Sequence, residues 1–328
     1  MTPLEQLAEH SGVVFPALFG ARARTERKLP LMRGRLEGVD VDADTSVMLF
    51  GSWGRKELTE HSDDDWLILV NGSEREGVRP SVDEIGGLIG VDDRKPGAQG
   101  VFGETVFCDH VVERIGLDAD DNRNLTRRIL LLLESQPIAN DSVHRACLER
   151  VLDGYLDHSI KPYKPPRFLL NDVIRYWRTI CVDFVGKERQ GTGEKWALRN
   201  LKLQTSRKVL FAGGLLPILL CHRHDAGDMR SFLLEQLSMP PVDRLAAAFI
   251  ANDAVDAGAR ALGAYDRWVA MLNDAAVREE LNRLARSEVA NSDVYGEGHR
   301  LAGELENGLL ALLFETALDP LVREYGIF

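Results

Sequence analysis

Leu49-Phe-Gly-Ser-Trp-Gly-Arg-Lys-Glu-Leu-Thr-Glu-His-Ser-Asp-Asp-Asp-Trp-Leu-Ile-Leu-Val70 joins two short apolar runs through a glycine-rich turn and an acidic cluster. The first run, Ser46-Val-Met-Leu-Phe50, is led in by the turn-like segment Gly38 to Thr45 and reads as a strand. The second follows Asp63 and closes at Asn71-Gly72, a strong turn signal. A strand ending in Gly51-Ser52 presents backbone N–H groups and a hydroxyl where no bulky side chain blocks phosphate oxygens. Asp63 and Asp65, two apart at the mouth of the next strand, project to one face, and Asp64 to the other. Carboxylates held side by side repel one another unless a cation lies between them, and hard oxygen ligands suit Mg²⁺ or Mn²⁺. Taken singly, an acidic cluster reads as a solvated turn or a helix cap, and Gly-Ser as a plain turn. The order of strand, Gly-Ser, about ten residues, Asp-x-Asp and apolar strand is what predicts a site.

Working outward, Met1 to about Leu36 reads as helical, with a basic run from Arg22 to Lys28 ahead of Pro30. A helix is expected near Val82 to Ile89, then a Gly-rich loop from Gly97 to Gly103, then a third strand over Glu104 to Cys108. Beyond Asn124 strand signals almost vanish. Leu125 to Glu134 and Val143 to Leu156 have amphipathic helical spacing, and Pro162 to Pro166 breaks the chain. The expected fold class is α+β: a catalytic domain over 1–120, including the N-terminal helix, and an all-helical domain over 121–328.

Composition narrows the function classes. The 45% apolar and 28% charged residues are those of an ordered globular chain. A formal net charge of −11 repels nucleic acid and anionic membrane, so a bound anion needs a local basic site. No run approaches a membrane span, and Met1 to Phe19 lacks the basic-then-apolar order of a secretion signal. Cys108, Cys147, Cys181 and Cys221 form no CxxC pair, which predicts reduced thiols and a cytoplasmic location. From Lys161 to Lys208 twelve Lys or Arg stand against four Asp or Glu. This basic stretch is expected to face the site and supply cations to the far side of a bound triphosphate. Lys202 is the leading candidate for a phosphate contact, and the alternative is a solvated basic face. Tyr176 and Trp196 are core candidates that could also stack on a base.

Gly51-Ser-Trp-Gly-Arg-Lys-Glu-Leu-Thr-Glu-His-Ser-Asp-Asp-Asp65 resembles the GSxGRxExTxxSDxD signature of the DNA polymerase β-like nucleotidyltransferase superfamily. Its nearest branches are the uridylyltransferases that modify PII signalling proteins and the DUF294-type nucleotidyltransferases. The resemblance is specific over roughly residues 45 to 70. It implies a mixed sheet flanked by helices, metal held by Asp63 and Asp65, and nucleotide bound by Gly51, Ser52, Arg55 and Ser62, with Arg55 near the nucleotide or bracing the loop. A third carboxylate, common in the superfamily as base or metal ligand, would be Glu104 or Asp109. Asp109 also reads as a helix N-cap, and Glu104 is favoured.

The implied reaction moves a nucleoside monophosphate from a nucleoside triphosphate, ATP among them, to an acceptor and releases pyrophosphate. A protein side chain is the favoured acceptor, a small molecule another. Synthesis of a cyclic oligonucleotide, as in bacterial defence, and a non-catalytic nucleotide sensor are the alternatives. Nucleic acid is disfavoured as a partner by the net charge, no membrane partner is expected, and the acidic C-terminal helices suit packing or a homodimer.

Overall fold

The computed structural model describes residues 1–90, 101–157, 161–190 and 195–326. Its first helix, α1 (Pro3–Ser11), opens with a reciprocal cap: Thr2 Oγ1 accepts from the Glu5 N–H while the Glu5 carboxylate accepts from the Thr2 N–H. It closes at Gly12 in the left-handed region (φ 69°), and Pro16 starts α2 (Pro16–Arg35). The single helix expected over residues 1–36 is therefore two, because that glycine stop and proline start lie inside the apolar periodicity.

β1 (Thr45–Leu49) and β2 (Trp66–Val70) pair antiparallel, with Leu49 opposite Trp66. α3 (Val82–Ile89) follows, and then β3 (Thr105–Phe107), which pairs parallel to β2. After α4 (Cys108–Glu113) and α5 (Asn122–Glu134) comes β4 (Gln136–Ala139), antiparallel to β1, so the mixed sheet has the order β3-β2-β1-β4. β4 was not expected: four residues containing Pro137 carry no strand periodicity, but an edge strand tolerates a proline. Its pairing with β1 places the division expected at 120/121 within the sheet. Most of the Gly-rich loop expected at 97–103 lies outside the described residues.

The rest of the described chain is helical: α6 (Asp141–Leu156), α7 (Arg167–Gln190), α8 (Trp196–Lys202), α9 (Lys208–Leu220), α10 (Ala226–Ser238), α11 (Pro241–Ala251), α12 (Val255–Asn273), α13 (Ala275–Arg283) and α14 (Asp293–Phe314). A π-turn over Leu203–Arg207 joins α8 to α9. Alternation along the strands divides the sheet's two faces. Val47, Leu49, Trp66 and Ile68 join a small cluster with Ile85 and Ile89, whereas Met48, Phe50, Leu67, Leu69 and Val106 join the main core.

That main core runs from Leu4 to Tyr325 and takes in residues of α1, of the first half of α2, of the sheet and of the C-terminal helices, whereas Met32 at the end of α2 and Leu36 after it join the smaller cluster. The Leu4 N–H donates to Asp243 (3.1 Å), the Leu18 N–H donates to Asp266 (2.8 Å), and Arg22 pairs with Asp243 at 2.6 Å. Fully buried Arg128 ties α5 to α6 and α7 by donating to Asp120 (2.8 Å), Asp172 (2.9 Å) and the Tyr155 hydroxyl (2.6 Å). Among the described residues no helix is long and apolar enough to cross a membrane.

Candidate functional site

At the end of β1 the chain turns on two glycines, each required for a different reason. Gly51 sits in the left-handed region at φ 63°, and a Cβ there would stand 3.3 Å from Asp65 Oδ2. At Gly54 a Cβ would fall 1.7 Å from the Glu134 carbonyl oxygen, so only glycine lets the turn lie on the end of α5. The turn is wound by the Arg55 N–H donating to Gly51 O (3.0 Å) and the Glu57 N–H donating to Ser52 O (2.8 Å). The Phe50 N–H donates to Asp65 O at 2.9 Å, extending the β1–β2 ladder to the acidic cluster. Asp64 points away, as its alternation predicts, and accepts from the buried Trp53 indole at 2.8 Å.

Gly51, Ser52, Ser62, Asp63 and Asp65 then line one cavity at the end of the sheet. Ser62 Oγ accepts from the Thr59 N–H at 3.0 Å, which shapes the loop delivering Asp63. The opposite wall is helical, with Lys202 from α8, Arg207 from the π-turn and Arg278 from α13. Lys202, the residue expected to contact phosphate, lines the cavity. Burial pulls its ammonium down to about 8, the Arg278 charge pulls the same way, and Asp63 opposes both. Burial also lowers Arg278, against the pull of Asp63. Cations held at such a cost, beside carboxylates, mark the cavity as a candidate functional site.

Arg55 braces the loop. Its Nε donates to Glu57 (2.9 Å) and its Nη1 to Glu134 (2.5 Å), while the Tyr265 hydroxyl donates to Glu57 at 2.7 Å. Burial works to lower its basicity, but Glu134 and Glu57 outweigh that and raise it well above the ordinary value. Burial pushes the Glu57 carboxyl up, and Glu57 Oε1 is a buried oxygen with no hydrogen-bond partner among the described residues. Glu57 lay inside the quoted stretch and Arg207 inside the basic one, so both were within reach of a reading. Arg278 and Tyr265 were not, because they belong to helices that read only as acidic packing surface.

The third carboxylate divides the two candidates. Glu104 shares an end of the sheet with Asp65, its carbonyl accepting from the Ile68 N–H at 3.1 Å, but its carboxylate pairs with Arg127 at 2.5 Å and it does not line the cavity. Asp109 lies at the opposite end. Its N–H donates to Gly72 O (3.3 Å), and its carboxylate accepts from Ser73 (2.5 Å) and Arg150 (2.6 Å). Because β2 and β3 run parallel, residues following β3 sit beside residues following β2, a full strand length from Asp63 and Asp65. Asp109 is thus removed from the site, and its side chain makes no N-cap either.

Among the described residues no group of three His, Cys, Asp or Glu side chains converges as a metal-binding set. Three carboxylates line the cavity, Asp63, Asp65 and Glu57, and Glu57 accepts from Arg55 and Tyr265, which leaves Asp63 and Asp65 as the candidate metal donors. That suits Mg²⁺, which takes one or two carboxylates and fills its octahedron with water and substrate phosphates. It does not suit an all-protein cage. No protein-family model and no curated protein matches the chain.

Proposed function

We propose that this cavity binds a nucleoside triphosphate with Mg²⁺ or Mn²⁺ and transfers its nucleoside monophosphate to a hydroxyl acceptor, releasing pyrophosphate, on a nucleotidyltransferase fold. The observation that carries the reading is the meeting of a strand-end Gly-Ser turn and an Asp-x-Asp pair with Lys202, Arg207 and Arg278 around one cavity. The turn's N–H groups and Ser52 hydroxyl would grip terminal phosphate oxygens, and Asp63 and Asp65 would hold the metal. Bound there, the ion supplies charge neutralisation at the phosphates. Lys202 and Arg278 would stabilise the leaving pyrophosphate, and the work is mostly positioning and charge. Glu104 would join as base only after giving up Arg127.

The test is pyrophosphate release with each of the four NTPs and Mg²⁺ or Mn²⁺, comparing the wild type with Asp63→Ala/Asp65→Ala. Release abolished by the double substitution supports the reading; release that persists in it overturns the assignment. A second reading, a nucleotide sensor without turnover, is favoured by the engagement of Glu104 with Arg127. It predicts metal-dependent NTP binding without release.

A further inference from the structure

Arg167, Asn171, Arg175, Arg178 and Val182 follow one another at intervals of four, four, three and four residues, which is a single stripe of α7. All five line a groove of about 570 Å³, closed by Asn122 at the start of α5 and by Tyr325 in a π-turn over Val322–Gly326. The groove shares no lining residue with the Asp63–Asp65 cavity. Among its described lining residues Asp183 is the one acid, against three arginines.

Each guanidinium is held differently. Arg175 is fixed from behind: its Nη2 donates to the Asp120 carbonyl at 3.0 Å, and its Nη1 lies 3.5 Å from the Asp120 carboxylate. That carboxylate also accepts from buried Arg128 at 3.0 and 2.8 Å. A guanidinium carries five N–H donors, so these contacts orient Arg175 and leave most of its donors unused. Arg167 stacks over the Tyr325 ring, 4.9 Å from its centroid, and stands 3.9 Å from Glu324. Arg178 is exposed and makes no ion pair within 4.0 Å among the described residues.

Arg175 and Arg178 are neighbours on the helix surface, with Cβ atoms about 5–6 Å apart, so both can reach one tetrahedral anion. The planar fork of arginine suits phosphate oxygens. Asn122 brings the positive end of the 13-residue helix α5 to the same groove. Beside the cations the wall turns apolar, with Ile174 and with Val182, an aliphatic side chain 69% exposed. A bare inorganic ion leaves that surface unused. The volume falls in the range of small-molecule pockets. The frame is preformed as well, because Arg128 ties Asp120 behind Arg175 to Asp172 of α7 itself (2.9 Å), which lowers the ordering cost of binding. A merely solvated basic face needs neither that brace nor an exposed valine beside the cations.

We propose that this groove is a second ligand site, for a small organic phosphate: Arg175 and Arg178 take the phosphate, and Ile174 and Val182 receive the apolar part of the molecule. The site lies outside the transferase cavity and does not rest on the reading of it. Its place fits an effector, since α7 also carries Phe184 and Lys187, which share a neighbouring cleft with Lys202.

The test is a ligand-observed NMR titration of phenyl phosphate, in EDTA and without NTP, beside inorganic phosphate and phenol as its two halves. Expected is binding of phenyl phosphate about tenfold tighter than of either half. Arg175→Gln/Arg178→Gln should weaken it about tenfold or more, through loss of charge-assisted hydrogen bonds. Val182→Ser should weaken phenyl phosphate and leave inorganic phosphate as it was. Asp63→Ala/Asp65→Ala, Lys202→Met and the surface-paired Arg145→Gln/Arg283→Gln should bind phenyl phosphate as the wild type does. If the double substitution in the groove does not fold, as circular dichroism will show, Arg178→Gln alone, at an exposed and unpaired residue, should still weaken binding several-fold. No binding of phenyl phosphate, binding lost with Lys202 rather than with Arg178, or equal losses in groove and control variants would overturn the proposal. So would tighter binding of oligothymidine or oligoglutamate than of phenyl phosphate at the same arginines, which would make the groove a polymer site.

Discussion

Lys202→Met should make the protein more stable and a poorer nucleotide binder at once. Burial and Arg278 hold the Lys202 ammonium at about 8 against an ordinary 10.5. At 1.36 kcal/mol per pH unit that gap corresponds to a ceiling of about 3.4 kcal/mol. The side chain keeps some contact with solvent, which reduces the figure to about 1–2 kcal/mol. The sign follows from proton binding. Between about 8 and 10.5 the unfolded chain holds a proton that the native lysine has released, so wild-type stability rises with pH across that window. Below 8 the native state carries the full cost of the buried charge. Methionine removes the charge at similar volume, so urea unfolding at pH 7 should place the variant about 1–2 kcal/mol above the wild type, with the gap closing toward pH 10. Loss of a charge-assisted phosphate contact, about 1.5–3 kcal/mol, should weaken NTP binding about 10- to 100-fold in calorimetry at pH 7. Wild-type affinity should likewise fall as pH rises through 8. A variant that is less stable yet binds NTP as tightly as wild type would refute the reasoning.

Three other substitutions test the framework. Arg55→Ala removes the cation between Glu57 and Glu134 and should cost about 3–5 kcal/mol in urea unfolding, less whatever Arg207, 3.7 Å from Glu134, recovers. A loss confined to nucleotide affinity would make Arg55 a ligand instead of a brace. Gly54→Ala drives a Cβ into the Glu134 carbonyl and should lower stability by several kcal/mol and abolish NTP binding; an unperturbed variant would contradict the packing of the turn on α5. Burial holds the His144 imidazole down to about 4, beside Ser135 Oγ at 2.7 Å. Its contribution is complete above the unfolded value of 6.5 and drains away as pH falls from there toward 4, about 3 kcal/mol in all. His144→Leu should flatten that acid limb in urea titrations between pH 7 and 4.

What the sequence disclosed was short-range. Gly51, Ser52, Asp63 and Asp65 are separated by a turn and a strand mouth, and the two-residue repeat of a strand assigns their faces without tertiary knowledge. The Asp109 expectation failed on strand direction: nothing local says that β3 runs parallel to β2, and parallel pairing sends the residue after the strand to the wrong end. β4 escaped because Pro137 in four residues looks like the end of a helix, and its edge place is decided by β1. Lys202 could be anticipated from the local excess of positive charge. Arg278 could not, because its helix carries Glu279 and Glu280 next to it and only the packing of α13 on α8 brings it to the cavity.

The most direct measurement is Mn²⁺ binding in the presence and absence of ATP, followed by electron paramagnetic resonance, for wild type and Asp63→Asn/Asp65→Asn. The account predicts Mn²⁺ held tightly only with ATP in the wild type, because two carboxylates need phosphate oxygens to complete the ion's shell, and lost in the variant. Equal Mn²⁺–ATP binding by both proteins would contradict it.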